Sequence, residues 1–105
     1  MEPNFKKMYY KNYCNFLDNT KSKYDKVRAF LLRKMNNNNV VCCTYRMIAN
    51  NTPCTEDNVG DIMRDHMTAN FLKKISPGQY MINPAIIMKG SGDRFSDLCD
   101  IYNSL

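Results

Sequence analysis

Apolar positions fall at helical spacing along most of this chain and give way to β-prone runs near its middle. From Phe5 to about Leu17, the stripe Phe5, Met8, Tyr9, Tyr13, Phe16 and Leu17 predicts an amphipathic helix over residues 5–17, with Lys6, Lys7 and Lys11 mostly to one side. Its apolar stripe suits ordinary core, a second subunit or, least well, a membrane surface. A polar break from Asp18 to Ser22 precedes a helix over 22–35, with Tyr24, Val27, Phe30, Leu31 and Met35 as its buried face. Ser22 can cap it, and Asp25 suits the positive end of its dipole. The run Asn36 to Asn39 reads as a loop, and Val40 to Cys43 as a short β-prone segment. Thr44 caps the next helix, in which Ile48 and Ala49 face inward. The chain then turns through Asn51, Thr52, Pro53 and Cys54, because Asn tolerates the left-handed conformation and Pro53 forbids continuation. Thr55 caps a second helix, whose Val59, Ile62, Met63 and Met67 have the spacing of one buried face. Phe71 to Ile75 and Gln79 to Ile82 flank Ser-Pro-Gly, the signal of a β-hairpin.

Beyond the hairpin, Pro84 cannot donate the next ladder bond, and Ala85 to Met88 returns the chain to the apolar surface. Lys89 to Gly92 reads as a flexible exit. Phe95, Leu98, Ile101 or Tyr102, and Leu105 then predict a short terminal helix over 93–104. That helix has little neighbouring chain to bury it, so a partner subunit or the first helix is expected to cover it. Helix, turn, helix and hairpin, with the 40–43 segment pairing onto the hairpin, is the order of a winged helix-turn-helix. The expected fold is therefore α+β, mainly α. It is one domain over 1–105, with the helix-turn-helix at 44–69, the wing at 71–82, and extra N-terminal and C-terminal helices. The plainer alternative is a helical pair followed by a hairpin, with no nucleic acid involved.

A chain of 105 residues, 44% hydrophobic, suits one compact core and leaves no room for a separate catalytic domain. No apolar run approaches the roughly 18 residues of a membrane span, and the N-terminus lacks the apolar core of a signal peptide. The expected location is the cytoplasm of a host cell, associated with its nucleoid. Cys14, Cys42, Cys43, Cys54 and Cys99 lack the spacing of a disulfide framework, so reduced, mostly buried thiols are expected. A zinc site from Cys42, Cys43, Cys54 and His66 is disfavoured, since adjacent cysteines rarely converge on one metal. His66 reads as a helix-surface residue. The asparagine run reads as the product of an A- and T-rich gene.

The net charge of +5 is unevenly placed: residues 1–39 carry +6, residues 40–69 carry −2 and the remainder +1. The positive field comes from the leading helices and the wing, and the second helix of the motif is acidic. Lys23, Lys26, Arg28, Arg33 and Lys34 read as solvated, with phosphate contact by some of them as the second reading. No phosphate-binding glycine loop, metal cluster or oriented nucleophile stands out. A non-enzyme without cofactor or metal is expected. Asp61 and Asp65, one helical turn apart, read as solvent-exposed acids.

A second helix that enters the major groove reads base edges, while a basic wing grips phosphates beside it. On that scheme Thr55, Asn58 and Arg64 are the groove-side candidates: Thr55 for a phosphate, Asn58 for adenine, Arg64 for guanine or a phosphate. Lys73 and Lys74 in the wing, with Arg46 and Tyr45 on the first helix of the motif, are the expected phosphate contacts. Glu56 and Asp57 favour the helix dipole, yet with Asp61 and Asp65 they would repel phosphates unless they splay away, accept from cytosine amino groups, or meet a protein instead.

Several stretches resemble the RepL-type replication proteins of Firmicute plasmids: Phe5 to Tyr10, Lys26 to Val40, Thr44 to Ala49, Phe71 to Ile75 and, most specifically, Gln79 to Gly90, with its tyrosine, apolar, apolar, Asn-Pro pattern closing on Lys-Gly. The similarity runs through nearly the whole chain. It implies a non-catalytic, winged-helix DNA-binding protein for replication initiation or maintenance of a plasmid or phage. Thr55 to Met67 matches the family's recognition helix and Phe71 to Ile82 its wing. The expected partners are double-stranded DNA, a second copy of the chain, and host replication or transcription proteins, with no membrane. The alternatives are a small phage- or mobile-element-encoded transcription regulator, or a winged-helix adaptor that binds a host protein through its acidic second helix.

Overall fold

The computed structural model describes residues 22–90 and 92–105. The amphipathic helix expected over 5–17 lies outside the described residues. Helix α1 runs Lys23–Lys34, opened by Ser22, whose hydroxyl accepts from the Asp25 amide at 3.4 Å. Strand β1, Val40–Cys42, leads into α2, Tyr45–Asn50, and α3, Glu56–Thr68. Thr44 and Thr55 cap these two helices, accepting from the amides of Met47 and Asn58 at 3.1 Å each. Strands β2, Leu72–Ser76, and β3, Gln79–Ile82, form the wing. A 3-10 turn, Gly92–Arg94, opens the last helix, α4, Phe95–Asn103.

The fold is α+β. Its sheet is antiparallel in the order β1-β3-β2, which seats the segment before the helix-turn-helix on the wing. This is the element order and strand order of a winged helix-turn-helix. Gly78 turns the hairpin at φ 78°, a conformation that favours glycine.

The sheet has two differently occupied faces. Val41, Leu72, Tyr80 and Ile82 join Val27, Leu31, Leu32, Ile48, Val59 and Met63 in the main core. On the other face, Met81 packs with Met88, Leu98 and Tyr102, and Val40 and Phe95 complete this smaller cluster. The inner side of the terminal helix, Leu98 and Tyr102, is thus covered by the outer face of the sheet, a cover that the sequence reading did not name. Alternation along β1 and β3 explains it: consecutive apolar residues, Val40 and Val41 on β1 and Tyr80 to Ile82 on β3, give the sheet an apolar surface on both sides.

The asparagine run forms the expected loop, and its side chains hold that loop in place. Asn39 is fully buried at φ 62°, a left-handed conformation that asparagine tolerates better than other non-glycine residues. Its amide donates to the carbonyls of Ile82 at 3.2 Å and Ile87 at 2.9 Å. Asn36 Oδ1 accepts from the amides of Asn38 and Val40, at 2.8 and 3.0 Å. Asn38 accepts from Arg94.

The expected flexible exit is likewise anchored. Lys89 Nζ donates to the Met35 carbonyl at 3.0 Å, just past the end of α1. Gly90 is buried so close to the Asn37 carbonyl oxygen that a Cβ there would lie 2.7 Å from it. Asn83 closes the hairpin exit, donating from its side chain to the Asn70 carbonyl and accepting from the Ala85 amide, both at 3.0 Å. The stretch Gln79 to Gly90 therefore ties the wing, the asparagine loop and the end of α3 together.

Candidate nucleic-acid interface

The helix-turn-helix presents one side of α3 to the core and the other to solvent. Val59, Ile62, Met63 and His66 are buried, while Glu56, Asp57, Asp61, Arg64, Asp65 and Thr68 are exposed. The exposed face carries four acids and one arginine. Two of those acids are met by arginine: Arg46 of α2 reaches Glu56 at 3.1 Å, and Arg64 pairs with Asp61. All four side chains are more than half exposed, so each pair contributes little to stability and its arginine can change partners.

The expected groove-side residues divide. Thr55 is exposed at the start of α3, and its hydroxyl still has a proton to donate after accepting from Asn58. Arg64 lies on the outer face. Asn58 does not stand free there: its Oδ1 accepts from Lys23 Nζ of α1 at 3.3 Å. Lys23, Tyr24, Asn58, Asp61 and Ile62 line an open cavity of about 300 Å³ between the starts of α1 and α3.

The wing lysines divide as well. Lys74 is exposed and in register with Tyr80, which belongs to the main core and stacks on Tyr45 of α2 at 6.4 Å. Strand alternation therefore sets Lys74 on the helix side of the sheet. Lys73 points the other way. Its Nζ donates to the Tyr102 carbonyl at 3.1 Å and lies 4.6 Å from the centre of the Tyr102 ring. It joins α4 to the wing by meeting the negative end of that helix, a contact within the chain that the reading of Lys73 as a phosphate contact did not include. The Tyr102 hydroxyl donates to Asn70 Oδ1 at 2.8 Å, and burial pushes its pKa up. Tyr45 is half-buried, its ring over Gly60 of α3, and Arg46 is exposed.

His66 is buried, which corrects its reading as a surface residue. Arg28 of α1 approaches His66 Nδ1 at 3.5 Å and covers the Phe71 ring at 4.1 Å. The Tyr24 ring meets the imidazole edge-on at 5.5 Å. Burial, and then the neighbouring Arg28 charge, lower the His66 pKa to about 4, so the ring is neutral near pH 7. Among the described cysteines, only Cys43 is buried; Cys54 and Cys99 are half-buried and Cys42 is exposed. Burial raises the Cys43 thiol to about 11, with a smaller contribution from Cys42. Among the described residues no three His, Cys, Asp or Glu side chains form a group that could hold a metal ion. None of the described helices is long and apolar enough to cross a membrane.

Sequence reasoning missed the contacts that join α1 or α4 to the motif, among them Lys23 to Asn58, Arg28 to His66, and Lys73 to Tyr102. Each spans about thirty residues or more, and no local pattern encodes it. Comparison with known proteins adds one finding: a family model described as Firmicute plasmid replication protein (RepL) matches residues 1–103. No curated protein and no solved structure matches the chain.

Proposed function

Because this chain belongs to the RepL family of Firmicute plasmid replication proteins, we propose that it serves plasmid replication by binding double-stranded DNA as a winged helix, without catalysing a reaction of its own. The observation that carries the reading is that Lys74 of the wing lies on the side of the sheet that packs against the helix-turn-helix. Arg46 of α2 meets Glu56 at the exposed start of α3. With α3 in the major groove, Thr55 and Arg46 meet phosphates at its start and Lys74 meets them from the wing. The acids of α3 then face base edges, where carboxylates accept from cytosine amino groups. Arg46 and Arg64 exchange a carboxylate for a phosphate or a guanine.

A homodimer would set two such faces on half-sites about one helical turn apart. Ile101 on α4 and Leu105 just past its end are exposed apolar surface available for it. The acidity of α3 favours a second reading, an adaptor that meets a basic surface of a host replication or transcription protein.

The wing distinguishes the two. Each neutralised phosphate contributes about −0.9 to the slope of log affinity against log salt. Lys74→Ala is expected to make that slope shallower by about 0.9. Lys73→Ala is expected to leave the slope unchanged and instead lower stability by about 1 kcal/mol, the scale of one hydrogen bond. Equal slopes for wild type and Lys74→Ala would remove the wing from the DNA.

A further inference from the structure

We propose that Lys23, at the start of α1, is a further contact to the DNA backbone, held in place by Asn58; this rests on the DNA-binding reading above. A helix lying in the major groove is flanked by the phosphates of both strands, so a cation on each side of α3 grips the duplex more firmly than one alone. Lys74 approaches from the wing. Lys23 comes from α1, across the first turn of α3.

Two other cations of α1 lie against aromatic rings. Arg28 lies over Phe71 against His66, and Lys34, in the last turn, lies 5.8 Å from the Phe30 ring. Lys23 is exposed and reaches Asn58 at 3.3 Å, which holds its flexible side chain at the mouth of the cavity beside α3. Tyr24 and Ile62 give that cavity apolar wall, suited to a deoxyribose next to the phosphate. Asp61 also lines it, and its charge is met by Arg64.

This changes the role of Asn58. A bidentate contact to adenine needs both its oxygen and its nitrogen. Its oxygen already accepts from Lys23, so Asn58 acts as a positioning residue for that side chain.

The test uses the full chain and a labelled duplex of about 30 base pairs of mixed sequence, titrated across a range of salt so that phosphate contacts are counted directly. Lys23→Ala is expected to make the slope shallower by about 0.9 and to weaken binding roughly eightfold at about 0.1 M salt. Lys23→Arg should restore the slope, and Lys23→Ala with Lys74→Ala should lose about twice as much as either alone. Asn58→Ala should weaken binding at low salt with Lys23 intact but add little when combined with Lys23→Ala. If wild type binds and Lys23→Ala keeps its slope, the proposal is overturned while the DNA reading stands. Failure of the wild-type chain to bind any duplex overturns both.

Discussion

Asn39→Ala is expected to unfold at markedly lower urea than wild type, having lost about 4 kcal/mol of stability. Two effects add. The carbonyls of Ile82 and Ile87 lose the donor that serves them inside the protein, and a buried polar group left without its partner costs about 1–3 kcal/mol. Alanine must also adopt φ 62°, the left-handed conformation, at a further cost of about 1 kcal/mol. Asn39→Gly separates the two effects, because glycine removes the backbone cost but not the lost hydrogen bonds, and should recover about 1 kcal/mol. Asn39→Asp should be at least as damaging as alanine, since it points an acceptor at two acceptors. Urea unfolding of the three variants checks the order, and an alanine variant as stable as wild type would refute this role. Domains of this size hold only about 5–15 kcal/mol in total, so the asparagine loop is a main determinant of whether the wing is in place.

The second large effect is acid sensitivity centred on His66. Its pKa is about 4 in the folded protein against 6.5 in an unconstrained chain. Between those values the unfolded chain takes up a proton that the folded one refuses, so stability falls as pH falls. The full contribution is present above about pH 6.5, declines through the window and is lost by about pH 4. A shift of this size corresponds to about 3 kcal/mol. Arg28 opposes the charged ring, while Asp65 and Asp25 partly favour it. His66→Leu keeps a similar volume and removes the titration, so its stability relative to wild type should rise by about 2–3 kcal/mol between pH 7 and pH 4.5. Carboxylates shared by both chains cancel in that comparison. Parallel pH profiles for the two proteins would show that the ring is not held neutral.

What the sequence made legible was local. Thr44 and Thr55 announced the two helices of the motif, Ser-Pro-Gly announced the hairpin, and Val40 to Cys43 read as its third partner. Each signal acts within a few residues, where capping and turn geometry are decided. His66 was misplaced although Val59, Ile62 and Met63 already set a spacing that puts it on the inner face; its polar character outweighed the period. The contact of Lys73 with α4 was hidden for a different reason. Alternation after the buried Leu72 does turn the lysine outward, but only the fold shows that α4 occupies that side. The asparagine run was legible as a loop, but not the hydrogen bonds of Asn39 to carbonyls about forty to fifty residues away. Of the site, the outward faces were legible from periodicity, and the side-chain pairs that set its geometry were not.

The central claim is that this chain recognises duplex DNA of its own plasmid. Fluorescence anisotropy of the purified chain on labelled fragments tiling that plasmid, with excess unrelated DNA at about physiological salt where non-specific binding is weak, tests it most directly. Tight binding to one fragment, lost in a Lys74→Ala, Arg64→Ala variant, is the predicted result. Equal, easily competed binding to every fragment, or none, would contradict it and move the outer face of α3 from DNA to a protein partner.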